Sequence, residues 1–305
     1  MKTTNEMIKD KDLWAGLNNP DLAMEDADIV VFGQAFDGAT SVRKGAADGP
    51  RSIREYSYSI TPTTEDFELM DSLKIKDLGD FQEENQEALF DKVQKQVEEI
   101  VKAKKFFTMI GGDHSVTIPV HRALNKVLDD QFGIIHIDAH FDLCDTLSGS
   151  PLSHGCPARR ATELDKVNGS DGVYFVGIRS IELDELEFKN NNPVHVINAR
   201  RFQTIGIEES VKEVVDYMSQ YKHVYVTIDI DCLDPGFAGG TGTPQFGGLT
   251  PRELLEFLRG IFCLPIIGFD VVEVAPSLDS SLTSTFAARK VITECWGHYW
   301  RKNQK

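Results

Sequence analysis

Four aspartates and two histidines, grouped in three short motifs, carry the clearest chemical signal in this 305-residue chain. The motifs are GGDHS at 111–115, DAHFD at 138–142 and DIDCLDP at 229–235. Side chains alternate along extended backbone, so Asp138, His140 and Asp142 share one side if the chain stays extended there. Asp229 and Asp231 share a side for the same reason. Together with the histidine of GGDHS, these carboxylates and imidazoles predict a site for Mn²⁺ or a similar divalent ion.

Charge balance favours two ions over one. Two divalent ions bring four positive charges against four aspartates, whereas a single ion leaves crowded carboxylates uncompensated, which is costly. Ions held about 3.5–4 Å apart lower the pKa of bound water and so supply a nucleophile. Any one motif alone is better explained by an aspartate capping the helix that follows a strand. The occurrence of all three together favours the metal site.

Eight short apolar runs alternate with amphipathic segments along the whole chain. This alternation predicts one parallel sheet covered by helices on both faces, a three-layer α/β/α fold. The carboxyl ends of parallel strands open onto one crevice, so motifs that follow different strands can meet there. The predicted strands are Asp28–Gly33, Leu73–Lys76, Phe106–Ile110, Phe132–Ile137, Val173–Gly177, Val194–Ile197, His223–Ile228 and Pro265–Val271.

Helical patterns lie between these runs. Ser115 before the second helix and Thr250-Pro251 before the fourth are helix-start signals. The predicted helices are Asn85–Lys104, Val116–Leu128, Glu208–Tyr221, Arg252–Phe262 and Leu282–His298. Three glycine-rich loops, at 36–50, 143–157 and 234–248, are long for a compact α/β domain. Such loops are often functional, and we expect them to form the walls of the site.

Composition bounds the remaining possibilities. With 32 basic and 48 acidic residues the net charge is −16, which disfavours nucleic acid or anionic membranes as partners and favours cationic ligands. The five cysteines form no CxxC pair, a pattern typical of reduced thiols. No apolar core of a signal peptide and no bilayer-length run is found, so we expect a cytoplasmic protein. Residues 1–305 are interpreted as one catalytic domain, with 1–25 as an N-terminal extension.

These motifs resemble those of the ureohydrolase family, whose members include arginases and agmatinases. The resemblance runs from about Asp28 to Glu294. It includes FDGATSVRKGAADGPRSIR at 36–54, GGDHS, DAHFD, VGIRS at 176–180, DIDCLDPGFAGGTGTPQFGGLT at 229–250 and DVVEVAP at 270–276. The resemblance implies an α/β/α fold with a parallel eight-stranded sheet, two Mn²⁺ ions, and trimers or hexamers. Ni²⁺, Co²⁺ and Fe²⁺ stay open as alternatives.

The resemblance also implies a ligand set. One metal would be bound by His114, Asp138, Asp142 and Asp229, and the other by His140, Asp138, Asp229 and Asp231. Asp138 and Asp229 would therefore bridge the two ions. Asp234 is expected to brace the turn before Pro235, and Asp113 to support a turn or a ligand.

Three residues complete the catalytic apparatus that the resemblance implies. Glu273, in EVAP, would hold the substrate guanidinium in a bidentate fork. His154 would transfer protons, because the pKa of imidazole lies near neutrality. Asp142 would relay a proton while remaining a ligand. Two further expectations are that His136 is a buried core residue and that Arg179 pairs with a carboxylate near the site or at a subunit contact.

The reaction class is better determined than the substrate. Neither the loop at 143–153 nor Ser180 reproduces the arginase pattern for holding an α-carboxylate and an α-amino group, so agmatine is the expected substrate, giving putrescine and urea. Guanidinobutyrate, arginine and guanidine are the alternatives, and Arg159 and Arg160 are candidate partners for a substrate carboxylate. Two other classes were weighed: a non-catalytic paralogue, which should have lost ligands, and a polyamine deacetylase, which should carry one zinc, a catalytic tyrosine and no EVAP glutamate.

Overall fold

The computed structural model describes residues 2–83 and 85–304. Its centre is an all-parallel sheet of eight strands, arranged in the order β2-β1-β3-β8-β7-β4-β5-β6. The strands are β1 Ile29–Gln34, β2 Ile75–Phe81, β3 Phe106–Ile110, β4 Phe132–Ile137, β5 Val173–Val176, β6 His195–Ile197, β7 His223–Asp229 and β8 Ile266–Val272. Within the described residues, no helix has the length and apolar content needed to cross a bilayer.

Helices cover both faces of this sheet, which confirms the expected three-layer α/β/α fold. They are α1 Thr4–Met7, α2 Gly49–Tyr56, α3 Gln86–Lys102, α4 Ile118–Val127, α5 Pro157–Thr162, α6 Leu183–Asn191, α7 Ala199–Met218, α8 Pro251–Ile261 and α9 Thr283–Asn303. Val31 and Ile137 belong to the core shared with α7, α8 and α9. Val30 and Phe32 point to the other face and pack with α3 and α4. Successive side chains of β1 thus pack alternately into two separate hydrophobic cores.

The strand order places four motifs side by side. The central strands are β3, β8, β7 and β4, and their carboxyl ends lie at the same edge of the sheet. His114 follows β3, Glu273 follows β8, Asp229 ends β7 and Asp138 follows β4. Chain segments up to about 160 residues apart in sequence are therefore neighbours at one crevice, as the parallel topology requires.

Strand β2 departs most from expectation, because it runs over Ile75–Phe81 rather than Leu73–Lys76. Its polar residues hid it from a search for apolar runs. Asp77 is buried in this edge strand, where the fully buried Arg54 of α2 binds both of its carboxylate oxygens at 2.9 and 3.0 Å. A charge can lie in a buried strand when a partner neutralises it.

Helix boundaries were predicted with mixed success. Thr250 caps α8 through a capping box with Glu253, as expected. Ser115 does not begin a helix: Asp113 is the N-cap of a short 3₁₀ turn at 114–117 that leads into α4. The helix predicted at 208–221 begins earlier and contains a kink at Gly206, whose φ of 80° interrupts the helical backbone. Helices α1, α2, α5 and α6 were not predicted, because α1 is a single turn and glycine, proline and charged residues dominate the other three.

Candidate metal centre

Each of the three motifs turns its backbone with an aspartate at the strand end. Asp113 Oδ1 accepts the N–H of Ser115 at 3.1 Å, Asp138 Oδ1 that of His140 at 2.7 Å, and Asp229 Oδ1 that of Asp231 at 2.7 Å. This side-chain-to-backbone bond, two residues on, is the usual turn-forming device of aspartate. It bends the chain over the sheet edge.

The motifs require close backbone approach at Gly112. A Cβ added there would lie 1.8 Å from the carbonyl oxygen of Phe36, so only glycine fits. The N–H of Asp113 donates to that same carbonyl oxygen at 2.8 Å. The loop at 36–45 is thereby held directly beside the GGDHS turn.

His114 lies at the centre of the first group of candidate ligands. Its Nδ1 is 3.0 Å from Asp138 Oδ2, 3.0 Å from Asp142 Oδ2 and 3.4 Å from Asp229 Oδ2. All four side chains are buried. The four residues assigned to one metal from the resemblance are therefore adjacent in space.

His140 forms the second group. Its Nδ1 is 3.1 Å from Asp231 Oδ2 and 3.5 Å from Asp138 Oδ1. Asp138 thus faces both histidines, one with each oxygen, which is the geometry that a bridging ligand needs. Asp229 is close to His114, and its Oδ1 is occupied by the backbone of Asp231.

The donor set fits divalent cations. His114 Nδ1, Asp138 Oδ2 and Asp231 Oδ2 are buried without a hydrogen-bond partner in the described part of the chain, although buried polar atoms almost always have one. Burial, followed by the charges of Asp231 and Asp138, raises the pKa of Asp229 well above its ordinary value. Burial lowers the pKa of His140, but Asp231 and Asp138 outweigh it and raise that pKa to about 12. A cluster of this kind is relieved when cations replace the protons.

His136 is buried in β4, as expected, and its side chain also contacts the candidate ligands. Its ring stacks on His114 with centroids 4.9 Å apart and an interplanar angle of 4°. Its Nε2 lies 3.0 Å from Asp138 Oδ2. The donor atoms of His114, His136, Asp138 and Asp142 all lie within 4.8 Å of one another, as do those of Asp138, His140 and Asp231.

A buried polar chain behind His114 was not predicted from the sequence. His114 Nε2 contacts Thr227 Oγ1 at 2.8 Å, and the Thr227 hydroxyl donates to Asp270 Oδ1 at 2.6 Å. Since that hydroxyl proton is committed to Asp270, the oxygen accepts the Nε2 proton and leaves the Nδ1 lone pair facing the carboxylates. Asp270 is further held by Tyr225 and Thr117 at 2.8 and 2.9 Å. The only sequence signal was its place at the start of DVVEVAP.

Glu273 and His154 meet at the edge of the centre. Glu273 Oε1 accepts the N–H of His114 at 3.0 Å and contacts His154 Nδ1 at 3.1 Å. Glu273 has a left-handed backbone, with φ of 62°, and its Oε2 is buried without a hydrogen-bond partner in the described residues. One oxygen of Glu273 is thus fixed, and the other is left for a ligand.

Ser41 determines the tautomer of His154. The Ser41 N–H donates to His154 Nε2 at 3.1 Å, and the Ser41 hydroxyl lies 2.7 Å from the same nitrogen. Because a backbone N–H can only donate, Nε2 must carry the lone pair and Nδ1 the proton. Burial lowers the pKa of His154, but the hydrogen bond and charge of Glu273 outweigh it and raise the pKa to about 9. The two donors on Ser41 favour the neutral ring and act against this shift.

The three glycine-rich loops contact one another around the centre, as expected. The guanidinium of Arg43 donates to the carbonyls of Gly242 and Thr241 at 3.0 and 2.8 Å, which joins the first loop to the third. The N–H of His154 and the hydroxyl of Ser153 donate to the carbonyl of Ala39, at 3.3 and 3.1 Å. This joins the first loop to the second.

Two of the remaining expectations can be compared with the structure. Asp234 braces its turn, because its carboxylate accepts the N–H groups of Gly236, Gly247 and Gly248 at 3.0, 2.8 and 3.2 Å. Among the described residues, Arg179 forms no ion pair with a carboxylate. Its guanidinium instead donates to backbone carbonyls of the DIDCLDP turn, among them Asp231 at 2.6 Å.

The backbone at Asp142 is not extended, so strand alternation does not explain why its side chain faces the site. Asp142 has a left-handed φ of 53°, so the chain turns after β4 rather than continuing as a strand.

Arg159 and Arg160, the candidate carboxylate partners, both contact other groups of the protein. Arg160 pairs with Asp145 at 2.7 Å, and the Arg159 guanidinium lies 4.5 Å from the ring centroid of Phe188.

Comparison with known proteins agrees with this fold. The chain matches the model of the Arginase family over residues 27–297. It is 38% identical over 276 residues to an agmatinase of Bacillus subtilis, covering 88% of this chain and 91% of that one. Two solved structures superpose closely. Proclavaminate amidino hydrolase from Streptomyces clavuligerus gives a TM-score of 0.83 with 33% identity, covering 90% of this chain and 92% of that one. Agmatine ureohydrolase of Thermoplasma volcanium gives 0.84 with 29%, covering 95% and 96%.

The matched region contains every motif that contributes a side chain to the metal centre. Identity above 30% over most of both chains accompanies a shared fold. The chain belongs to the Arginase family.

Proposed function

We propose that this protein is a ureohydrolase that cleaves agmatine to putrescine and urea, with two divalent metal ions. The observation that carries the proposal is the position of Glu273: a buried carboxylate with one unpartnered oxygen stands beside His114 of the metal centre. A guanidinium is the cation whose planar fork suits such a carboxylate. The curated relatives, agmatinases at 34–38% identity, support the same reaction.

The metal ions would be held by the six clustered side chains. His114, Asp138, Asp142 and Asp229 would bind one ion, and His140, Asp138, Asp229 and Asp231 the other. When bound, the ions would supply a water of lowered pKa as the nucleophile. The four carboxylates balance the charge of two divalent ions, which single-ion binding would not do.

Two protein side chains orient the substrate and transfer the proton. Glu273 orients the guanidinium plane so that its carbon faces the nucleophile, and His114 N–H and His154 fix that carboxylate in turn. His154 delivers a proton to the leaving amine. Its Nδ1 proton and its Nε2 lone pair are both defined by hydrogen bonds, so it can pass a proton from one side to the other.

The surroundings support a substrate with an amine rather than a carboxylate. Arginine and guanidinobutyrate each require a cationic partner for their carboxylate. Four arginines of the neighbouring loops and of α5 are engaged with other groups: Arg43 with carbonyls, Arg159 with Phe188, Arg160 with Asp145, and Arg179 with carbonyls. The overall charge of −16 also favours a dication.

We further propose Mn²⁺ as the metal, a homotrimer or homohexamer as the assembly and the cytoplasm as the location. Carboxylates and imidazoles favour Mn²⁺ over thiophilic metals. Phe67, Leu183 and Phe246 are 93%, 85% and 82% exposed, which supports apolar surfaces that further copies would cover. All five cysteines are free, which supports a reducing compartment. Light scattering and metal analysis of the purified protein test the first two proposals.

The decisive experiment is urea release by the Mn²⁺-loaded protein from agmatine, arginine, guanidinobutyrate and guanidine. We expect agmatine to give the highest kcat/KM. Glu273→Gln should reduce kcat/KM by about 100-fold or more, because misorientation of the reacting carbon is that costly. Higher turnover of arginine or guanidine would refute the substrate, and absence of urea from all four with two ions bound would refute the reaction.

A further inference from the structure

We propose that the segment Gly177–Glu185, which contributes no candidate ligand, sets the geometry of both halves of the metal centre. In this proposal Arg179 positions the ligand Asp231, and Glu185 positions the ligand Asp142. The inference rests on the two-metal centre of the proposed function and goes beyond it by assigning two positioning residues.

The beginning of the segment, and Val176 just before it, bind the backbone of the DAHFD turn. The N–H groups of Arg179 and Ser180 both donate to the carbonyl of Ala139, at 2.8 and 3.0 Å. The N–H of Asp138 donates to the carbonyl of Val176 at 3.0 Å. The backbone between the ligands Asp138 and His140 is thus fixed to the segment before any side chain is considered.

Arg179 joins the segment to the other ligand turn. Its guanidinium donates to the carbonyls of Asp231 at 2.6 Å, Leu233 at 3.2 Å and Cys232 at 3.3 Å. It also donates to Gln245, at 3.1 and 2.7 Å, in the loop that follows. A planar guanidinium with five donors in fixed directions can hold several carbonyls at once, whereas an ammonium cannot reach the same set.

Glu185, at the other end of the segment, binds the turn at Asp142. Its buried carboxylate accepts the N–H of Leu143 at 2.8 Å with one oxygen and the N–H of Glu182 at 2.8 Å with the other. On the far side, Arg159 N–H donates to the Asp142 carbonyl at 3.1 Å. Asp142 has a φ of 53°, a conformation that persists only when its surroundings impose it.

Because of these contacts, substituting Arg179 and substituting Glu185 should affect different metal ions. Asp231 is a candidate ligand only in the His140 group, and Asp142 only in the His114 group. Displacing Asp231 should therefore weaken one ion and displacing Asp142 the other. A residue that merely stabilised the fold would affect both ions alike.

The test uses the full chain and Mn²⁺ alone as the probe. Arg179→Lys and Glu185→Ala, which removes both acceptors, are compared with wild type and with the matched controls Arg200→Lys and Glu187→Ala, which lie at exposed positions nearby. Mn²⁺ affinity is measured by calorimetry, and electron paramagnetic resonance distinguishes a spin-coupled pair from an isolated ion. Thermal unfolding and circular dichroism report the fold.

Each variant should lose roughly 10- to 100-fold in affinity for one ion, as changes in outer partners of metal ligands do. At intermediate Mn²⁺ concentration the variants should show the isolated-ion spectrum, and the controls the coupled pair. The two variants test independent contacts, so a folding failure in one leaves the other to decide.

The possible failures are distinguishable. If the wild type itself never binds two ions, the proposed metal centre is wrong and the inference falls with it. If the wild type binds two ions and both folded variants bind them with unchanged affinity, the positioning roles are wrong while the metal centre stands. Equal loss of both ions in a folded variant would also overturn the assignment of separate ligands.

Discussion

At the scale of single residues, three of the candidate ligands use their two carboxylate oxygens differently. Asp138, Asp229 and Asp231 each use Oδ1 to accept a backbone N–H, from His140, Asp231 and Ala139 respectively. In each case Oδ2 faces a histidine. One oxygen therefore shapes the turn, while the charge belongs to the whole carboxylate, so a substitution that keeps one acceptor oxygen separates the two properties.

Asp229→Asn should leave a folded protein that binds neither ion stably. The amide oxygen can still accept the Asp231 N–H, but the negative charge that would be shared by both ions is gone. Asp142→Asn, at a position assigned to one ion, should retain the other. Metal content after dialysis, measured by atomic emission, distinguishes the two, and retention of two tight ions by Asp229→Asn would contradict a bridging role.

Ser41 offers a prediction for pH dependence. Its N–H and hydroxyl both stabilise the His154 ring with a lone pair on Nε2. Ser41→Ala removes one of these bonds, which is worth about 1 kcal/mol, or roughly 0.7 pKa unit. Because the lost bond stabilised the neutral form, the pKa of His154 should rise. The limb of the kcat/KM profile assigned to His154 should therefore move to higher pH.

The comparison for this prediction is Ser41→Thr, which keeps the hydroxyl. It should restore the wild-type profile, whereas loss of activity through misfolding would lower the whole profile without moving the limb. A profile that is unchanged in Ser41→Ala, or displaced to lower pH, would show that the hydroxyl does not stabilise the neutral ring.

At the scale of secondary structure, strands were far more predictable than the contacts between loops. Seven strands lie within two residues of expectation at each end, because buried parallel strands are uniformly apolar. The six candidate ligands could also be recognised in the sequence, since metal-binding residue types at strand ends are a local signal. Ser41, Glu185 and Asp270 were missed because each acts on a partner more than forty residues away. Periodicity carries no information about such contacts.

The buried ion pair at β2 shows how a polar element can belong to a core. Arg54 binds Asp77 through two hydrogen bonds and Asp80 through a third, and Trp14 Nε1 donates to Asp77 at 2.7 Å. These contacts join α2, the edge strand and the N-terminal residues that precede β1. The ion pair therefore adds to the apolar packing of Ile75 and Trp14 at this edge.

Arg54→Met should therefore lower the free energy of unfolding by about 3–5 kcal/mol, because it leaves a buried carboxylate uncompensated. Urea denaturation measures this loss. Arg54→Met combined with Asp77→Leu should recover part of it, since the charges of that pair are then removed, while Asp80 still lacks its partner. Mn²⁺ affinity of the folded fraction should be unchanged, and a large effect on metal binding would show that β2 also supports the centre.

At the scale of the whole molecule, charge is the property that bears on function. Forty-eight acidic and 32 basic residues give a net charge of −16. Within the centre the charge is balanced once two divalent ions are bound, so the excess lies elsewhere on the surface. A negative surface raises the local concentration of cations and speeds their encounter with the site.

Salt should therefore weaken turnover of a dication more than that of a monocation. Raising ionic strength from about 10 mM to about 150 mM shortens the Debye length from roughly 30 Å to roughly 8 Å, which screens the long-range field but not buried contacts. We expect kcat/KM for agmatine, which carries a guanidinium and an ammonium, to fall several-fold over this range. For guanidine, with one charge, the slope should be about half as steep on a logarithmic scale. Steady-state urea release at each salt concentration measures both slopes, with sucrose at matched viscosity as the control for diffusion. Equal slopes for the two substrates would mean that salt acts on the enzyme itself, and that the acidic surface contributes nothing to capture of the substrate.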